Sequence, residues 1–179
     1  MNKLCPLSSL LNLPFISHVR RNHALEHATM HALSERHRNL RLVGRSSLWG
    51  FTIYGQVSTE DVVAAAQEGL RRLKAGQRRM AIHPNCGSNL AVAGTLAGLG
   101  AFLALGGGST SQERSRMERL ARLPLAFAAA TLGIILAQPL GTALQARVTT
   151  QAEVGALHIV SVTQERRAGI LVHTVRTEG

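Results

Sequence analysis

Hydrophobic and polar positions change their period several times along the chain. Residues 1–17 carry an apolar run broken by Pro6, Ser8, Ser9, Asn12 and Pro14, with Lys3 as the only positive residue ahead of it. This does not read as a cleaved signal peptide, and an interfacial segment lying on a membrane is expected instead. From about residue 16 to residue 37 good helix formers dominate and no Gly or Pro intervenes. Leu25, Ala28 and Ala32 share one apolar face there, so the spacing predicts an amphipathic helix. Residues 40–44 and 48–57 are rich in β-branched and aromatic side chains around Arg45-Ser46-Ser47, which predicts a hairpin or two short strands. Ser58 or Thr59 is placed to cap a second helix, with Glu60 and Asp61 in its first turn and Arg71, Arg72 and Lys74 in its last. Gly76 ends it, and residues 80–83 read as a short strand stopped by Pro84.

Two later stretches contain no charged residue: 88–106 and 123–146. At about 1.5 Å per residue each is long enough for a hydrocarbon core about 30 Å thick, so a transmembrane hairpin is expected. Two buried helices of a soluble bundle are the alternative, but such helices need a polar face that neither stretch has. Gly94 with Gly98, Ala126 with Ala130, and Ala137 with Gly141 are small-residue pairs one turn apart, suited to close helix packing or to homo-oligomers. Gln138 and Pro139 suggest a kink or an interfacial break. Beyond the second stretch, residues 156–163 and 169–176 alternate as strands around a polar turn at 164–168. Neither flank has enough apolar surface to fold confidently alone. The expected class is therefore an α+β membrane protein, in which residues 18–87 and 147–179 form one domain and 88–146 is an inserted hairpin.

Composition sharpens this picture. Of 179 residues 45% are hydrophobic and only 17% charged, which excludes a disordered tail, and two cysteines (Cys5 and Cys86) exclude a disulfide framework. Net charge is +10, with twelve Lys and Arg before the first apolar stretch, four between the two, and four after the second. The termini together hold sixteen of them, so the positive-inside rule places both termini in the cytoplasm. Anionic headgroups explain the basic cluster Arg71, Arg72, Lys74, Arg78 and Arg79. Nucleic acid is not an expected partner: one Trp, one Tyr and four Phe make no stacking platform. Neither a phosphate-binding Gly-rich loop nor a Gly-x-Ser-x-Gly elbow is present.

The stretch with the most chemistry is Asn22-His23-Ala24-Leu25-Glu26-His27-Ala28-Thr29-Met30-His31. On a helix, residues four apart lie one turn apart on the same face, so His23, His27 and His31 form a row with Glu26 at its edge. Two imidazoles on one face suit a tetrahedral Zn²⁺, and a neighbouring carboxylate can take a proton from water. A third ligand is expected in His83, within Ile82-His83-Pro84-Asn85-Cys86-Gly87, where Pro84 and Gly87 constrain the backbone. Cys86 is a possible further ligand that would close the site, and His31, Asn22 and Asn85 are further candidates to join or support it. Equally, eight histidines in a basic chain can be ordinary surface residues; His18 and His37 are read that way, and His158 and His173 are expected to face solvent or the sheet.

The pattern His-x-x-Glu-His at 23–27 resembles the inverzincin metallopeptidase motif. That resemblance implies His23 and His27 as zinc ligands and Glu26 as general base. It covers five residues, and the downstream Glu ligand of that class has no counterpart at a matching distance. A wider arrangement is similar to an uncharacterised bacterial two-span membrane family, from about Arg21 to Val154. It runs Arg-Asn-His-Ala-Leu-Glu-His-Ala-Thr-x-His, then a sheet, Ala-Ile-His-Pro-Asn-Cys-Gly and two spans. It implies a bacterial inner-membrane protein and carries no activity. The resulting expectation is a zinc-dependent hydrolase at the cytosolic membrane surface, acting on a peptide or membrane-protein substrate. The alternative is a non-enzymatic metal-binding or scaffold protein.

Overall fold

The computed structural model describes residues 6–37, 39–107 and 116–179. Cys5 and Arg114 therefore lie outside the described residues, as do residues 1–5 of the expected interfacial segment. The chain divides into two compact units, one made of the chain up to His83 together with Gln145–Gly179, the other of Pro84–Leu144.

The first unit is α+β. A short helix α1 (Pro6–Leu11) leads into α2 (Pro14–Arg36). Helix α2 starts two residues earlier than its apolar period suggests, because Pro14 sits in the first turn, where its fixed φ favours the helix and its missing N–H is not needed. Strands β1 (Val43–Ser47) and β2 (Gly50–Tyr54) follow, then α3 (Thr59–Lys74). The expected turn at 45–47 is instead strand, and the chain reverses at Leu48-Trp49. Helix α3 matches its signals: the Ser58 hydroxyl accepts from the Asp61 N–H at 3.0 Å, and Gly76 adopts φ +83° past the end. Residues 80–83 are not a strand. A 3₁₀ turn spans Arg78–Ala81, its ladder partners being absent because the sheet is completed elsewhere.

The sheet order is β1-β2-β4-β3, all antiparallel, with β3 at His158–Arg167 and β4 at Ile170–Glu178. The two central strands come from opposite ends of the sequence. The expected polar turn at 164–168 is mostly strand; the reversal is made by Ala168 and Gly169, both at positive φ (46° and 82°), as a two-residue hairpin loop requires. One face of the sheet, with Phe51, Ile53 and Val175, packs under α2 and α3 into a core with Leu25, Ala28, Leu33, Val62 and Leu157. The helices approach closely where Gly69 meets Ala28: a Cβ at Gly69 would stand 2.9 Å from the Ala28 carbonyl carbon.

The second unit is a pair of apolar helices, α4 (Gly87–Ala104) and α6 (Leu123–Leu144), with the short α5 (Arg116–Ala121) between them. Both long helices are long and apolar enough to cross a membrane. Their contact is made at Gly100, whose Cβ would lie 2.9 Å from the Ala129 carbonyl oxygen, and at Gly133, whose Cβ would lie 2.7 Å from the Leu96 carbonyl carbon. Gly94 and Gly98 are not in that seam; nothing lies within 4 Å of a Cβ built at either. Helix α6 runs through Pro139 without ending there.

Candidate metal centre

Four imidazoles of the first unit come together. His23 and His27 stack edge-to-face along α2 with ring centroids 4.4 Å apart, and their nearest ligand atoms lie within 4.8 Å of one another. His83 follows the 3₁₀ turn, and its ring is 5.8 Å from that of His27 and 4.9 Å from that of His31. The helical row and the residue after the turn thus share one cluster.

Backbone carbonyls set how three of these rings are turned. The Nδ1–H of His23 donates to the Thr149 carbonyl at 2.9 Å, the Nδ1–H of His27 to the Ala81 carbonyl at 2.7 Å, and the Nε2–H of His31 to the Ile82 carbonyl at 2.8 Å. A carbonyl can only accept, so each facing nitrogen carries the proton and, in the neutral ring, the opposite nitrogen carries the lone pair. This is the arrangement metal-binding histidines adopt, with the second ring nitrogen anchored to an oxygen. His27 is decisive: it is buried, and its Nε2 has no hydrogen-bond partner among the described residues. A buried nitrogen lone pair without a partner costs about 1–3 kcal/mol, a penalty a cation would remove. Burial, with His31 and His27 as neighbours, pushes the His83 imidazole down to about 4, so it stays neutral near pH 7.

A turn that the sequence did not single out supports the cluster. Gln145, fully buried, accepts the His83 N–H on its Oε1 at 2.8 Å and donates Nε2–H to the His83 carbonyl at 3.1 Å. Gln145–Thr149 form a π-helical turn, and the same turn presents the Thr149 carbonyl to His23. Arg20 holds it in place by donating to the carbonyls of Val148 (2.7 Å), Thr150 (3.0 Å) and Arg147 (3.1 Å). A lone Gln at the end of an apolar stretch gives no signal of this in the sequence.

Glu26 and Asn22 are engaged elsewhere in the first unit. Glu26 is buried with its carboxylate against β1, where Gly44 leaves the space that a Cβ would fill. The histidine row instead faces the Ala81-Ile82 and Thr149 carbonyls. Asn22 is fully occupied by the fold: its amide donates to the Ser47 and Leu48 carbonyls at 3.0 and 3.2 Å and its oxygen accepts from Thr177 at 2.6 Å. It ties α2 to the sheet, so no ligand-orienting role is assigned to it. Asn85 and Cys86 belong to the second unit, Asn85 exposed and Cys86 preceding α4 with the Ser88 hydroxyl 3.2 Å from its sulfur. The His18 Nδ1–H donates to the Gly179 carbonyl (2.9 Å), His37 pairs with Asp61 (3.1 Å), and His158 is exposed. His173 is on the covered side of the sheet and fully buried, its Nε2 3.3 Å from the Thr59 hydroxyl, and burial lowers its pKa.

Residues 18–162 match the family described as "Domain of unknown function (DUF6391)". The chain belongs to that family. An uncharacterized protein of Picosynechococcus sp. (strain ATCC 27264 / PCC 7002 / PR-6) is 34% identical over 100 residues, covering 51% of this chain and 49% of the relative. The chain thus matches about half the length of that curated relative. No solved structure matches the chain.

Proposed function

We propose that this DUF6391 protein is a membrane-anchored metal-binding protein in which His23, His27 and His83, with His31 beside them, hold a divalent transition ion such as Zn²⁺. The observation that carries this is the buried, unpartnered Nε2 of His27 within a group of four imidazoles. An all-imidazole donor set suits zinc and its neighbours rather than Mg²⁺ or Ca²⁺, which favour oxygen. The apolar pair α4 and α6 supplies the anchor in this reading, and the excess of Lys and Arg outside the hairpin favours cytoplasmic termini in a bacterial inner membrane. Cys86, three residues after His83 in the chain, is the proposed fourth ligand if the site is closed.

A hydrolytic use of the metal is the second reading, favoured by the His-x-x-Glu-His spacing and by the buried Glu26 carboxylate next to His27 in sequence. For that use the carboxylate must turn from Gly44 toward the histidine row, with a peptide or membrane protein as substrate.

Metal analysis of detergent-purified protein tests the first reading. About one zinc per chain is expected in the wild type and a large loss in both His23→Ala and His83→Ala. Equal metal in all three, or none in the wild type, sinks it. Glu26→Gln tests the second: zinc retained with peptide hydrolysis abolished supports catalysis, whereas a wild type that binds zinc and hydrolyses nothing leaves the non-enzymatic reading.

A further inference from the structure

We propose that Gln145 is a positioning residue for the metal centre, and that metal occupancy is tied to the integrity of the turn Gln145–Thr150. The inference rests on the metal-binding reading above. One side chain makes both backbone hydrogen bonds of His83, accepting its N–H at 2.8 Å and donating to its carbonyl at 3.1 Å. A primary amide alone among side chains offers one acceptor and one donor side by side, so it pairs with a residue's backbone as a neighbouring strand would. His83 needs that partner because it follows a 3₁₀ turn and belongs to no ladder.

Four residues on, the same turn accepts the Nδ1–H of His23 on the Thr149 carbonyl. Thus two proposed ligands that are 60 positions apart in the chain, His23 and His83, are both oriented by one five-residue element. That element is a π-helical turn, the wider helical form often found where function demands a displaced carbonyl. It is closed by Thr150, whose N–H (3.0 Å) and hydroxyl (2.8 Å) both donate to the Gln145 carbonyl, and braced by Arg20 from α2. Gln145 directly follows the last residue of α6, Leu144. The groups that aim His83 and His23 thus belong to one turn of the first unit. Linkage makes the effect reciprocal: a metal that favours the aimed geometry also favours the intact turn.

The test is Zn²⁺ affinity of the full chain in detergent, measured by competition with a chelating dye, together with the visible spectrum of the Co²⁺-substituted protein. Gln145→Leu is expected to bind about 10- to 100-fold more weakly than wild type and to shift the Co²⁺ bands, with its helical circular dichroism preserved. Val62→Ala, a core truncation in α3, should lower thermal stability without either change, which separates aiming from general loosening. Unchanged affinity and spectrum in Gln145→Leu overturn the proposal while leaving the metal-binding reading in place; a wild type that binds no metal overturns both. Should Gln145→Leu fail to fold, wild-type hydrogen exchange decides. Zn²⁺ is expected to slow exchange in the peptides covering 79–83 and 145–150, and unchanged exchange there overturns the proposal.

Discussion

Replacing His27 with Leu separates the stability of the fold from the binding of metal. Two opposing terms act on the metal-free protein. The substitution removes a buried nitrogen without a partner, worth about 1–3 kcal/mol in favour of the variant, and strands the Ala81 carbonyl, worth about 1–3 kcal/mol against it. Because the two are of equal size, and Leu fills a similar volume, the metal-free variant should melt close to the wild type. Metal breaks this balance. At a free Zn²⁺ concentration one hundred times the dissociation constant, binding stabilises the wild type by about 2.7 kcal/mol. For a domain of this size that corresponds to a rise of about 5–11 °C in Tm. Differential scanning calorimetry of both proteins in the same detergent, with and without Zn²⁺, gives the comparison. The wild type should rise by that amount and His27→Leu by little. An equal rise in both proteins would refute the reasoning, because it would place the stabilising ion elsewhere; so would a metal-free variant many degrees below wild type, because His27 would then be a structural core residue.

In the apolar hairpin, Gly133→Val should destabilise the α4–α6 pair by about 1–3 kcal/mol or more, since even its Cβ meets the Leu96 backbone at 2.7 Å. Gly98→Ala, with open space around it, should leave helicity and melting unchanged; equal effects of the two on thermal melts in detergent would contradict the seam described above. His173 gives a pH dependence whose sign follows from its burial: its folded pKa is lowered from the usual value of about 6.5. Below that value the unfolded chain binds a proton that the fold resists, so stability is complete at neutral pH and lost as pH falls. Metal-free protein should therefore melt lower at pH 5 than at pH 8, with a smaller difference in His173→Phe. An undiminished difference in that variant would assign the effect to other groups.

Much of this protein is written in local pattern. Period and capping residues alone mark α3 from Ser58 to Gly76, because a side-chain hydroxyl, an acidic first turn and a terminal Gly act within a few residues of one another. The two charge-free stretches are equally legible, since helix length and apolar content are local properties. So is the alignment of His23, His27 and His31, which follows from the pitch of any helix. Boundaries fared less well where tertiary pairing sets them. Residues 45–47 and 164–167 look like turns by composition but are strand, since each gains a neighbouring ladder, and residues 80–83 look like strand but find no ladder to join.

The tertiary structure decided which side chains meet. Sequence spacing places Glu26 at the edge of the histidine row, but Gly44 across the sheet offers its carboxylate a place that no helical projection contains. Asn22 reads as a polar neighbour of a ligand, yet its three hydrogen bonds go to residues 25 or more positions away. Gln145 has no recognisable motif and acquires its role only because the chain returns from α6 beside the residue at which it left the first unit. Helical period and hydropathy are fixed by neighbours along the chain, and a sequence states them directly. The proton-bearing nitrogen of each imidazole and the backbone carbonyl that holds it depend on contacts between distant segments, and only folding settles those.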